Sequence, residues 1–203
     1  MSFITERPKE IVFYKGKKYR INPAFDVILD IQKLYREDTL SAEDKLETAL
    51  LMLGLSKMRL LSVSMKDKAG LLDAIYVQSV NVKQRPQTKP RQPVLDFDED
   101  AEYIYASFML DYGIDLVKQQ GRLSWRAFIY LFQGLSSKSK IKEVMRIRDM
   151  DIPQPTKHNQ KEIQNIIELK SYYALPVHGG GGQDGLNRLF DILESLAVNG
   201  GGR

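Results

Sequence analysis

The order of apolar and polar positions predicts a short hairpin followed by a series of helices. Ile11, Phe13, Tyr19 and Ile21 flank Lys15-Gly16-Lys17, where Gly16 supplies the positive φ of a tight turn. Asn22-Pro23 reads as a helix start, Asn capping and Pro in the first helical position, with the helix running from about Pro23 to Arg36. Phe25, Ile28, Leu29 and Ile31 make it apolar on more than one side. Ser41-Ala42-Glu43-Asp44 resembles a capping box and leads into Leu46, Ala49, Leu50 and Leu53 at i, i+3, i+4, i+7 spacing. A further helix is predicted from about Lys66 to Val82, its β-branched end the weaker part.

Two aromatic helices follow. Phe97, Ala101, Ile104, Phe108 and Tyr112 form one stripe, and Trp125, Phe128, Ile129 and Phe132 form another. A basic helix is expected from Lys138 to Arg148. Another runs from a Thr156 cap to about Ala174, buried along Ile163, Ile166, Ile167 and Tyr173. The last is Leu186 to Val198, amphipathic through Leu186, Leu189, Phe190, Leu193 and Ala197. The fold class is therefore mainly α, a multi-helix bundle with a short N-terminal β-hairpin.

Prolines and glycines divide this series. Residues 1–82 form the hairpin and first helices. Residues 83–95 include QRPQTKPRQP, three prolines without a large apolar residue, and read as a linker or as a loop within one domain. Residues 96–175 form a central helical region, 176–185 a glycine tether, and 186–203 the C-terminal helix and tail. The 43% hydrophobic and 28% charged residues are those of a globular chain. A net charge of +4, with Lys and Arg interleaved among Asp and Glu, reads as a solvated surface. The chain has no cysteine, which excludes disulfides and thiolate metal sites. No apolar run reaches the roughly 20 residues that span a bilayer, and MSFITERPKE lacks the apolar core of a secretory signal. Residence in the cytosol where it is made is the expectation.

Candidate chemistry changes this little. Asp96, Asp98, Glu99, Asp100 and Glu102 begin like a calcium loop, but Ala101 stands where that loop needs Gly and Ser107 where it needs Glu. Helix capping is the better reading, and no metal is expected. His158 and His178 lack partners at triad or zinc spacing. Gly179 to Gly182 follow a helix instead of a strand, with no Lys-Ser/Thr pair, so no phosphate loop and no cofactor is expected. Lys83, Arg85, Lys89 and Arg91 have no interleaved aromatic residues, leaving only weak, salt-sensitive nucleic-acid contact. The stripe Leu186, Leu189, Phe190 and Leu193 is the candidate partner-binding site. A helix this short is marginal alone, so it docks on its own domain, on a partner or on a neighbouring copy.

The string DFDEDAEYIYASFMLDYGIDL, then Gly-Arg-Leu-Ser-Trp leading into an aromatic helix, FQGLS, IKEVMRIR and IP resembles the phage gene-product-fifteen family. The likeness runs from about Ile11 to Leu175. Its most specific residues are Phe97, Tyr105, Phe108, Tyr112, Trp125, Phe128 and Phe132, which are packing residues. Members are usually encoded in the tail module of phages and prophages of Gram-positive bacteria, between the major tail protein and the tape measure. The resemblance implies a non-enzymatic tail assembly chaperone that binds the tape measure protein, with the major tail protein or a second copy as further partners. It implies action in the host cytoplasm and absence from, or a minor place in, the mature virion. The alternatives are a minor structural component of the tail or its joining region and, after it, a nucleic-acid-binding accessory. Membrane association is the weakest option, since the C-terminal helix lacks a strongly basic face.

Overall fold

The computed structural model describes residues 10–81, 93–156 and 158–176. Among them run β1 (Ile11–Tyr14), β2 (Lys17–Arg20), α1 (Phe25–Arg36), α2 (Ala42–Met52), α3 (Lys57–Leu61), α4 (Met65–Ile75), α5 (Ala101–Tyr112), α6 (Trp125–Gly134), α7 (Lys140–Asp149) and α8 (Gln160–Tyr172). The chain is mainly helical with an antiparallel N-terminal hairpin, as its residue pattern predicts. The described residues form two compact units, one of residues 10–81 and 119–131, the other of 93–118 and 132–176 without 157. Helix α6 contributes to both, and the region 96–175 is shared between them.

In the first unit the hairpin turns on two residues, Lys15 (φ 46°) and Gly16 (φ 73°), the paired positive values of a type I′ turn. Val12 pairs with Tyr19 and both are buried, whereas Phe13, one residue on, is 63% exposed. Tyr14 fixes the hairpin to α4. A Cβ at Gly70 would lie 2.3 Å from the Tyr14 hydroxyl oxygen and 2.9 Å from Cζ, so the tyrosine occupies the space a side chain would take. Lys15 Nζ meets Asp67 Oδ1 at 2.5 Å on the same helix.

Helix α1 starts at Phe25, two residues later than the Asn22-Pro23 signal indicates, and Ala24 is its cap, without a side-chain hydrogen bond. The reason is long-range pairing. Residues 22–24 are extended, Trp125 N–H donates to the Pro23 carbonyl (2.8 Å) and Phe25 N–H to that of Leu123 (2.9 Å). Asp26 receives the Gly121 N–H at 2.9 and 3.1 Å. The Ser41 cap does form: its Oγ accepts from Asp44 N at 3.1 Å and donates to the Asp44 carboxylate at 2.6 Å. Ser64 and Asp67 repeat that arrangement at the start of α4. Beyond α4 the chain winds into a π-helical turn, Tyr76–Val80, closed by Asn81 N–H on the Tyr76 carbonyl at 2.7 Å. Ile28, Leu46, Leu50, Leu71, Leu72 and Ile75 are fully enclosed, and Phe25 stacks on Phe128 at 4.9 Å.

In the second unit α8 begins at Gln160 behind its cap Asn159, three residues after the Thr156 cap expected. Asn159 is held by its side chain, which accepts from Thr156 N–H (2.7 Å) and donates to the Gln154 carbonyl (3.0 Å). No residue of α8 is buried: Ile163, Ile166 and, just past the helix, Tyr173 are half-buried, and Ile167 is exposed, against the burial expected of all four. Among the described residues no helix is long and apolar enough to cross a membrane.

Candidate functional site: the surroundings of helix α5

The acidic cluster before α5 is built into the fold. Asp96 Oδ1 accepts the N–H groups of Asp98 (2.8 Å) and Glu99 (3.3 Å), closing the turn that feeds the helix. Asp100 is fully enclosed and accepts Asp96 N–H at 3.0 Å. Its two oxygens also take the fork of Arg148, Nη1 to Oδ2 at 2.6 Å and Nη2 to Oδ1 at 2.8 Å. Arg148 spends two further donors on carbonyls, Nε on Tyr173 (2.6 Å) and Nη1 on Val94 (3.0 Å). One guanidinium thus joins the end of α7, the start of α5, the chain before it and the end of α8. A buried pair is tolerated when its hydrogen-bonding capacity is filled in this way. Among the described residues no group of three His, Cys, Asp or Glu side chains is placed to hold a metal ion.

Helix α7 is held at both ends by polar groups. Ser107, on the inner side of α5, donates to the Tyr103 carbonyl (2.6 Å) and accepts the Ile141 N–H (3.1 Å), satisfying a free donor of the first turn of α7. Asp111 accepts from the Ser136 N–H and hydroxyl at 2.7 and 3.1 Å, fixing the loop that enters α7. At the other end Lys170 Nζ donates to the carbonyls of Arg148 and Met150 at 2.6 and 2.7 Å. Lys140 Nζ lies 2.8 Å from the Tyr173 hydroxyl, a hydrogen bond that raises the lysine pKa. Lys142 sits over the Phe132 ring, and partial burial lowers its pKa.

The residues that carry the family likeness are divided between the units. Trp125 and Phe128 are buried in the first, 5.8 Å apart and stacked. Phe108 and Phe132 are buried in the second, Phe108 edge-on to Tyr112 at 5.9 Å and Phe132 edge-on to Phe97 at 5.5 Å. Phe97, Tyr105 and Tyr112 are half-buried. His158 is exposed. The candidate partner-binding residues Leu186, Leu189, Phe190 and Leu193, the basic Lys83, Arg85, Lys89 and Arg91, and His178 with Gly179 to Gly182 lie outside the described residues.

Helix α5 has a second apolar side, behind the stripe that packs. From Tyr103 to Leu110 helix α5 reads YIYASFML, eight residues without a charge. Ile104, Ser107 and Phe108 face inward and are buried. On the opposite side Ala106 is exposed, Met109 is 40% exposed and Leu110 is 74% exposed. A helix that is apolar all round ordinarily lies in a core. Here one side is left open. Tyr103, Ala106 and Leu110, at i, i+3 and i+7, share one stripe, and the ring of Tyr173 stands edge-on to Tyr103 at 6.0 Å. An uncharged run longer than one helix face needs was the available signal.

Fold and site together define a mainly helical protein whose polar side chains secure its helices while, among the described residues, an apolar helix face is left exposed. The family model described as Bacteriophage Gp15 protein matches residues 6–175, and the chain belongs to that phage family. No curated protein and no solved structure matches it.

Proposed function

We propose that this phage protein is a non-enzymatic tail assembly chaperone that binds the tape measure protein in the host cytoplasm while the tail is built. The observation that carries the reading is the outer face of α5, with Ala106, Met109 and Leu110 exposed on a helix that has no charge from Tyr103 to Leu110. Such a face suits helix-in-groove contact with an amphipathic client. Burying one or two side chains of this kind contributes about 1.5–3 kcal/mol each. That is weak for a single site and suited to reversible holding of a long helical client at many points. Family membership supports the phage setting; the client comes from the resemblance to tail-module proteins.

Co-expression with the tape measure protein is the test. The two are expected to co-purify, with recovery reduced in Leu110→Asp, and purified virions are expected to lack the protein or to hold traces of it. Failure to co-purify, or a fixed copy number per virion by mass spectrometry, would overturn the proposal.

A further inference from the structure

We infer that α8 is a strap: it detaches from α7 and unwinds as one piece while the rest of the second unit stays closed, and its release bares Tyr103 and lengthens the exposed stripe of α5. The detachment stands on the contacts of α8 itself. Its use in client binding rests on the reading of α5 given above.

The first argument is burial. Helix α8 has 13 residues and none of them is buried. Ile163 and Ile166 are half-buried, while Ile167, Leu169 and Tyr172 are exposed. In the same unit α5 encloses Ile104, Ser107 and Phe108, and α7 encloses Ile141, Val144 and Ile147. A helix that removes so little apolar surface from water opens far more readily than its neighbours.

The second argument is where α8 is held. Among the described residues, every hydrogen bond that ties α8 and Tyr173 to another part of the unit falls on the last turn. Lys170 Nζ donates to the carbonyls of Arg148 and Met150, Arg148 Nε to that of Tyr173, and Lys140 Nζ to the Tyr173 hydroxyl. Further up the helix, the Gln164 amide turns to Glu168 of α8 itself at 3.1 Å. On the other side residues 151–156 are exposed and outside any helix or strand, and Pro153 and Pro155 keep α7 from running on into α8. A fastening of one turn and an irregular link are the two parts a strap needs.

The third argument is what remains when α8 leaves. Arg148 loses the Tyr173 carbonyl but keeps both bonds to Asp100 and its bond to Val94. Ser107 still receives the Ile141 N–H, and Asp111 still holds Ser136. Helix α7 therefore stays on α5. Undocked, a helix of this length is marginal, so leaving and unwinding are one event. Tyr173 goes with it, and its ring is what stands edge-on to Tyr103 at the head of the stripe with Ala106 and Leu110.

Native-state amide hydrogen exchange on the full chain tests this. Amides 164–173 should share one level of protection, about a hundredfold or more below that of amides 105–108 and 145–147. Lys170→Met keeps the apolar stem and removes the ammonium group. It should speed exchange of 164–173 by roughly tenfold or more, the worth of a charge-assisted hydrogen bond, and leave 105–108 unchanged. Protection of α8 equal to that of α7, protection graded residue by residue from one end, or equal acceleration of α5 in the variant would overturn the inference. Lys170→Met should also recover more tape measure protein than wild type, the reverse of Leu110→Asp. Equal or lower recovery would overturn the link between the strap and the α5 stripe. No recovery by any form, with the exchange result as expected, would leave the detachment standing and remove the chaperone reading.

Discussion

Each of the two units has its own means of closing its interior. The first is closed by aliphatic and aromatic packing around Ile28, Leu50, Leu72 and Phe128, with residues 22–24 pairing to a segment about a hundred residues further on. The second leans on polar clamps. Arg148, Asp100, Ser107, Asp111 and Lys170 fix both ends of α7 and the start of α5 by hydrogen bonds. When hydrogen bonds position a helix, less of its apolar surface has to be used for that purpose. The outer side of α5 can then remain available, and this is where the comparison bears on function.

The comparison is most sharply tested at its strongest points. In the second unit, Arg148→Ala leaves the enclosed Asp100 carboxylate without its counter-charge and is expected to cost about 3–5 kcal/mol, read as a lower urea midpoint. Replacing both partners together, Asp100→Leu with Arg148→Met, should cost much less, because no buried charge is then stranded. In the first unit, Phe128→Ala should cost about 3–5 kcal/mol through a cavity beside Phe25, and no second polar substitution should rescue it. If Phe128→Ala were rescued by a polar change, or the double clamp variant were as damaged as the single, the contrast between the units would fail.

Smaller effects follow. Gly70→Ala places a methyl group against the Tyr14 ring and should cost about 1–3 kcal/mol; Tyr14→Ala in the same chain should remove most of that penalty. Tyr35 and Tyr76 have raised pKa values, in both cases chiefly through burial, with Tyr35 adding to the shift at Tyr76. A raised tyrosine pKa means stability fully present below the ordinary value of 10.0 and lost as pH climbs beyond it. Unfolding followed from pH 8 upward should therefore show the first unit weakening above about pH 10, with a shallower decline in Tyr76→Phe. Leu110→Asp is expected to change stability by less than about 0.5 kcal/mol, as exposed substitutions do. Its effect should fall on binding.

The parts of the fold that the sequence discloses are those whose causes are local. The hairpin follows from alternation around Lys15-Gly16, and the α2 cap from Ser41 and Asp44, three residues apart. The start of α1 was not legible, because residues 22–24 are drawn into extended pairing with residues 123–125 and nothing nearby announces the partner. The α8 start was displaced by Asn159, whose side chain turns back to hold Thr156 and Gln154. Arg148 passed for one more solvated cation in a basic helix. Its clue was position: seven residues after Ile141 and four after Val144, it falls on the apolar side of α7, where a charge needs a buried partner. The α5 face was hidden for the converse reason, since the apolar stripe that marks the packed side of a helix says nothing of the side behind it.

The exposed side of α5 is the surface on which client binding is proposed to depend. The direct measurement is recovery of the tape measure protein by wild type and by Leu110→Asp, prepared at equal concentration and shown by urea titration to be equally stable. A marked loss of recovery in the variant is the predicted result. Equal recovery would contradict the claim and return Leu110 to the ordinary run of exposed apolar residues.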